Sequence, residues 1–305
     1  MAQNMLKPEN NIDLKKYNTY YIGGKARYLV IAESRQDLID ALNFAKEKHI
    51  FYVILGKGSN VLISDSGYKG LVIVNRSKGI GRSGDNLHVE SGTSTAELMK
   101  YTVQEGLAGV EFLAGIPGSF GGAILGNAGA WGKSLDDIIE SVEFMDKNGI
   151  RQISKEDLDF SYRDSSFKKM QGIILGADII LQKSKPHDVG NRVREILLKR
   201  SGKHPVGRSC GSYFKNVDVN GLSKETLDKI LEWEINGKIP ASKLIEDVGG
   251  KGMSIGDAEV SNTHANFLIN KGNATADDIK KLAEEVKREV FDKFGIELEP
   301  EVRYL

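Results

Sequence analysis

Cysteine is almost absent from the chain. Cys210 is the only one, so no internal disulfide can form, and a disulfide-stapled extracellular scaffold is excluded. The expected home is the reducing cytosol. Excess charge of one sign is missing too: 42 Lys and Arg balance 42 Asp and Glu. That leaves no bulk attraction to nucleic acid or to an anionic membrane, although a local basic site remains open. No apolar run approaches the roughly 20 residues of a membrane span. The opening segment, Met1 to Asn18, is polar and lacks the apolar centre of a signal peptide. Histidine is sparse, at five residues, and no paired His or Cys spacing suggests a metal centre. The expectation is a cytoplasmic monomer acting on small molecules, with no nucleic-acid partner and no membrane insertion.

What is present is length, ordinary apolar content and much glycine. A chain of 305 residues fits two or three domains, and one this long buries a core without staples. There are 34 glycines and only six prolines. Glycine therefore exceeds its roughly 7% average without a disordered Pro/Gly composition. Short apolar runs at Tyr52–Leu55, Leu71–Val74, Ile173–Leu175 and Ile179–Leu181 read as strands. Helices are expected in three places. One lies between Ser34 and His49, with Ser34 as cap and Asp37 three residues on. A second spans Thr95–Glu105 and is closed by Gly106. A third spans Thr275–Phe294, with the stripe Ile279, Leu282, Val286 and Val290 and a stop at Gly295. The stretches Arg76–Gly84 and Lys183–Asp188 read as links between domains, the second containing Pro186. Mixed elements throughout indicate an α+β architecture.

Two glycine loops stand out. Leu55-Gly56-Lys57-Gly58-Ser59-Asn60-Val61 directly follows a strand, where freed backbone N–H groups can cradle a phosphate; a plain tight turn fits those residues equally well. The P-loop pattern and the Rossmann fingerprint are both missing. The segment Ala114 to Gly132 holds seven glycines in 19 residues, interleaved with Ile116, Phe120, Ile124 and Leu125. Those apolar residues suit a packed backbone lying against a flat or phosphorylated ligand better than a solvated linker.

Together the motifs G-x-G-S-N, I-P-G-S-x-G-G and N-A-G-A, with the opening Tyr17 to Ala26, resemble the UDP-N-acetylenolpyruvoylglucosamine reductase family. The likeness continues through Phe160-Ser161-Tyr162-Arg163-Asp164-Ser165, Ser209-Cys210-Gly211-Ser212-Tyr213-Phe214-Lys215-Asn216 and Leu298-Glu299-Pro300-Glu301-Val302-Arg303. These motifs lie in the same order over about Tyr17 to Arg303. The chain is similar to the branch without a long tyrosine-bearing loop, since the stretch from Lys168 to Gly190 is short. It departs from the pattern at Arg208 and Val217, where the family often has proline, and at Asn266, where it usually has glycine.

The resemblance implies a fold: a two-lobed FAD-binding domain of the PCMH/vanillyl-alcohol-oxidase-like type plus a separate α+β substrate-binding domain. The first lobe would span residues 1–75, the second 76–200 and the substrate domain 201–298, with a tail at about 299–305 returning to the active site. It implies non-covalent FAD, held by Gly56, Lys57, Gly58, Ser59, Asn60 and Val61 along the pyrophosphate and by Pro117, Gly118, Ser119, Gly121, Gly122, Asn127, Ala128 and Gly129 along the rest. NADPH would be the reductant and the enolpyruvyl UDP-N-acetylglucosamine the substrate.

Three residues would be catalytic: Arg163 holding the substrate carboxylate, Ser212 donating a proton and Glu301 stabilising the charge that develops. Tyr162, Lys203, Lys215, Asn216 and His264 would contact substrate. Taken on residue type alone, Arg163 beside Asp164 also reads as a surface ion pair, Ser212 as a structural turn, Glu301 as a solvated carboxylate and His264 as a structural histidine. Two other functions stay open: a different flavin oxidoreductase on a related scaffold, and a flavin binder without catalysis. Covalent flavin attachment through His or Cys has no candidate in the glycine loops, and the three catalytic positions that a mere binder could lose are all present.

Overall fold

The computed structural model describes residues 7–305. Residues 1–6, where the polar opening segment and the expected first lobe begin, lie outside the described residues. The chain divides into two compact units. Among the described residues, one comprises 7–12, Ala26–Lys57 and Lys69–Ser201; the other comprises Asp13–Lys25, Gly58–Tyr68 and Gly202–Leu305.

Seven helices are described: α1 (Arg35–Glu47), α2 (Thr95–Glu105), α3 (Phe120–Leu125), α4 (Pro186–Arg200), α5 (Lys224–Ile230), α6 (Ala241–Asp247) and α7 (Ala276–Phe294). Their starts are locally encoded. Ser34, Ser94 and Thr275 each form a capping box with an acidic residue three positions on, Asp37, Glu97 and Asp278, so side chains satisfy N–H groups that the first turn leaves open. Gly106 and Gly295 end α2 and α7 in the left-handed conformation, which glycine adopts without a Cβ clash.

The first unit carries two larger sheets. A four-stranded sheet runs in the order Glu9–Asp13, Lys25–Ala32, Tyr68–Asn75, Tyr52–Leu55, the last pair parallel with Val53 opposite Val72. The α1 stripe Leu38, Ala41, Leu42 and Ala45 packs with Leu71 and Ile73 in one core. A five-stranded antiparallel sheet runs Gly149–Ser154, Ile139–Asp146, Ile173–Ile180, Asn86–Glu90, Ile80–Ser83. The apolar face of this sheet, α2 and α3 close a second core around Leu98, Phe120, Phe144 and Ala177.

Three readings of the sequence change here. Ile173–Leu175 and Ile179–Leu181 are largely one strand, Ile173–Ile180, because Gly176 through Asp178 keep pairing with neighbours on both sides. The stretch 76–84 includes the edge strand Ile80–Ser83. Pro186 begins a helix: it sits in the first turn of α4, where its missing N–H has no partner to lose.

In the second unit, α7 packs its stripe Ile279, Leu282, Val286 and Val290, all fully buried, into one core with Ala258, Val260 and Leu268 of a three-stranded sheet, Ser254–Ile255, Ala258–Val260, Leu268–Asn270. Burying four such side chains contributes on the order of 6–12 kcal/mol before entropy is counted. The segment 299–305 belongs to this unit and pairs in parallel with Val61–Leu62. No helix among the described residues is long and apolar enough to cross a membrane.

Candidate active site

The glycine loops are built by close backbone approach. A Cβ on Gly56 would fall 2.1 Å from Ser119 Oγ, so the strand-end turn and the start of α3 touch without a side chain between them. Gly121 lies against Ser91 and Gly129 against Lys133 and Ser134, so protein packing requires both. Gly122 and Gly126 meet no neighbour beyond the turn of α3 itself, and Gly122 is exposed. Main chain rather than side chain forms that part of the surface. Ser119 is buried and caps α3 through Gly122 N–H (3.3 Å). Pro117 is exposed, and Gly118 and Ala128 are half-buried. Of the first loop, Gly56 and Lys57 belong to the first unit and Gly58 to Val61 to the second.

Asn127 is buried with φ +39, and both ends of its amide bind protein. Nδ2 donates to Ser161 O (3.1 Å) and Oδ1 accepts from Asp136 N–H (3.2 Å). The first of these contacts anchors a small hairpin, Phe160–Ser161 paired with Asp164–Ser165, whose turn is Tyr162-Arg163. Arg163 is left-handed at φ +57, uncommon for a side chain of its size and typical of a position held for a purpose. Its guanidinium lies 5.7 Å from the Tyr162 ring centroid, and its carbonyl accepts from Lys168 Nζ (2.6 Å).

Arg200, at the end of α4, was not singled out from the sequence. Burial, and then the nearby positive charge of Arg163, hold its guanidinium below the usual range. Its Nε is buried and has no hydrogen-bond partner. Its Cδ sits 3.0 Å from where a Gly115 side chain would begin. Two like charges kept together with a donor unspent favour an anion. No local pattern in the sequence signals this.

In the second unit the Ser212 and Glu301 segments run side by side. Glu301 N–H donates to Tyr213 O (2.8 Å), Lys215 N–H donates to Glu299 O (2.9 Å), and Phe214 bridges Pro300. Ser212 and Glu301 are both half-buried. Asn266 fixes the serine strand: it binds Phe214 N–H through Oδ1 and Phe214 O through Nδ2, each at 2.9 Å, and its own carbonyl accepts from Tyr213 N–H (2.7 Å). That gives the departure from the family pattern at this position a structural purpose.

Tyr213 and Tyr304 join hydroxyls at 2.9 Å. Behind them Cys210 is buried and burial pushes its thiol up to about 12, so it is no nucleophile. Lys215 Nζ pairs with Glu299 (2.5 Å). Asn216 Oδ1 accepts from Ala241 N–H at the start of α6 (3.2 Å). His264 stacks on His204 (6.1 Å between centroids) and meets Phe267 edge-on; burial, then His204, lower its pKa. Lys203 is exposed.

Two family models match the chain. One, described as UDP-N-acetylenolpyruvoylglucosamine reductase, C-terminal domain, covers residues 203–305, and one described as FAD binding domain covers residues 26–154. A curated relative named UDP-N-acetylenolpyruvoylglucosamine reductase, from Clostridium novyi (strain NT), is 40% identical over 97% of this chain and 91% of its own length. The chain belongs to the UDP-N-acetylenolpyruvoylglucosamine reductase family. A relative of the same name from Caldicellulosiruptor bescii is 36% identical over 96% of this chain and 88% of its own. The crystal structure of UDP-N-acetylenolpyruvylglucosamine reductase (MurB) from Thermus caldophilus superposes with a TM-score of 0.80 at 30% identity, covering 98% of this chain and 99% of that one.

The α+β class, with an FAD-binding part and a separate substrate part, is therefore as the sequence indicated. The chain is an FAD-dependent oxidoreductase acting on an enolpyruvyl sugar nucleotide, in peptidoglycan synthesis. FAD is its cofactor, and the glycine surface fits such a group: Gly122 and Gly126 leave bare main chain where a Cβ would meet no protein outside the helix turn.

Proposed function

We propose that the enzyme uses NADPH to reduce UDP-N-acetylglucosamine enolpyruvate to UDP-N-acetylmuramate, with Arg163, Ser212 and Glu301 as the catalytic residues. FAD, when bound, would supply the hydride chemistry that links NADPH to the methylene carbon of the enol ether. Charge then develops on the neighbouring carbon and spreads into the carboxylate. Arg163 holds that carboxylate through its planar fork, and Glu301 stabilises the same state by sharing a proton. Ser212 delivers a proton to the neighbouring carbon. A hydroxyl is a weak acid, yet far stronger than the C–H bond formed, so position matters more than a shifted pKa. Gly56 to Val61 line the cofactor together with Pro117, Gly118, Ser119, Gly121, Gly122, Ala128 and Gly129, with Asn127 serving through the hairpin it anchors. Tyr162, Lys203, Lys215, Asn216 and His264 face the substrate. A single buried thiol suits a reducing, cytoplasmic setting.

The observation that carries this reading is the pairing of the Ser212 and Glu301 segments, in which the carbonyl of Tyr213, the residue after the proposed acid, accepts the glutamate's own N–H at 2.8 Å. An acid and a charge-stabilising carboxylate held in one ladder is what the second half-reaction needs. For Ser212→Ala, rapid mixing is expected to show flavin reduction by NADPH nearly unchanged and flavin reoxidation by the sugar nucleotide slowed about 100- to 10,000-fold. Equal slowing of both halves would rule out the proton-donor role.

A further inference from the structure

Glu301 is held by its main chain at both ends. Its N–H donates to Tyr213 O (2.8 Å), and its carbonyl accepts from Asn60 Nδ2 (3.3 Å). Asn60 also uses its own carbonyl, which accepts from Arg303 N–H (3.2 Å). One residue thus brackets the segment from Glu301 to Arg303, from a position 241 residues earlier in the chain. Beyond it the two strands stay in register, Val61 opposite Arg303 and Leu62 opposite Tyr304, and Leu305 N–H donates to Leu62 O (3.0 Å). All of these residues lie in the second unit.

We infer that Asn60 is a positioning residue for Glu301, and that through it the loop Gly58–Val61 sets the aim of the catalytic glutamate. The inference rests on the reading of Glu301 as catalytic and of this loop as cofactor-lining. The physical argument is one of degrees of freedom. A glutamate reaches its target through three rotatable bonds that start from its own Cα. Pinning both the N–H and the C=O of that residue fixes where the side chain begins and in which direction it leaves.

The two anchors have different origins. The Tyr213 carbonyl ties Glu301 to the proton donor's strand, whereas the Asn60 amide ties it to the glycine loop. A shift of that loop as cofactor binds moves the carbonyl of Glu301 directly. Asn60 is half-buried, and its main-chain bond to Arg303 does not depend on its side chain. Loss of the amide therefore loosens one anchor without removing the strand.

The test is a double-mutant cycle read on the two half-reactions of the FAD-loaded enzyme, with Asn60→Ala, Glu301→Gln and the pair. Asn60→Ala is expected to slow flavin reoxidation by the enolpyruvyl sugar nucleotide about 10-fold more than it slows flavin reduction by NADPH, the equivalent of about 1.4 kcal/mol. In the Glu301→Gln background that extra loss is expected to vanish. Asn60→Gln, which keeps a donor, is expected to recover part of it.

If Glu301→Gln leaves reoxidation untouched, the catalytic reading of Glu301 fails. If Glu301→Gln is slow but Asn60→Ala adds its full loss on top, that reading stands and the coupling is wrong. A second measurement needs no variant and no turnover: amide hydrogen exchange on the apo and the FAD-loaded protein. FAD is expected to slow exchange of the Glu301 and Arg303 amides together. Exchange at both amides that is blind to FAD would overturn the inference even where the alanine variant fails to fold.

Discussion

At the scale of single residues, the site is made by side chains that hold other residues' backbones. Asn127 is the sharpest case among those carried over from the family likeness. Removing its amide would leave Asp136 N–H and Ser161 O, both part-buried, without their partner, and each loss costs about 1–3 kcal/mol. Asn127→Ala is therefore expected to lower the urea unfolding free energy by about 2–6 kcal/mol. It should also slow the substrate half-reaction, because the Tyr162-Arg163 turn hangs from Ser161. An unchanged unfolding midpoint would show that the tether carries no load. Residue types and motif order pointed to Asn127, Asn60 and Glu301. What these asparagines bind was not legible, because partners 34 and 241 residues away are chosen by the fold. Arg200 escaped notice for the same reason: its meaning comes from Arg163 and Gly115.

Among elements, the local code was readable where it is written locally. Three capping boxes and two glycine stops follow from a few adjacent residues each, and α1, α2 and α7 lie where those signals put them. Helix α4 was hidden because Pro186 has two meanings, a break in mid-helix and a good first residue. The choice is made by Val193 and Ile196, which pack against the apolar core of the five-stranded sheet. That sheet also carries a pH-sensitive charge cluster on its other side chains.

On its central strands, His88 lies between Glu90 (Nε2 to Oε1 3.8 Å) and Asp178 (Nδ1 to Oδ1 2.8 Å). Glu90 and Asp178 raise its pKa to about 9 against burial, which lowers it. Neighbouring strands and α1 complete the cluster: Ser141 and Gln152 bind Asp178, and Arg35 pairs with Glu143 and approaches Glu90. The folded state thus keeps a proton that the unfolded chain, titrating near 6.5, gives up. The stabilisation is complete below about 6.5 and is lost as pH rises through about 9. His88 is partly exposed, so the effect is modest. Urea unfolding is expected to show stability falling from pH 6.5 to 9, with a flatter profile for His88→Gln. Equal slopes in the two proteins would remove His88 as the source.

For the molecule as a whole, composition bounded the class, motif order named the family and elementary chemistry supplied the roles. Identity of 40% over nearly the full length, and the superposition at a TM-score of 0.80, make the family firm. The central claim is that electrons pass from NADPH through FAD to the enolpyruvyl sugar nucleotide, with this chain's residues steering the second half. Flavin absorbance of the purified protein, followed without oxygen, tests it most directly. NADPH is added first and the sugar nucleotide second. The account predicts that the yellow colour bleaches with NADPH and returns with the sugar nucleotide. A flavin that bleaches and stays bleached would contradict the proposed electron acceptor, and a protein that takes up no FAD on reconstitution would contradict the account from its first step.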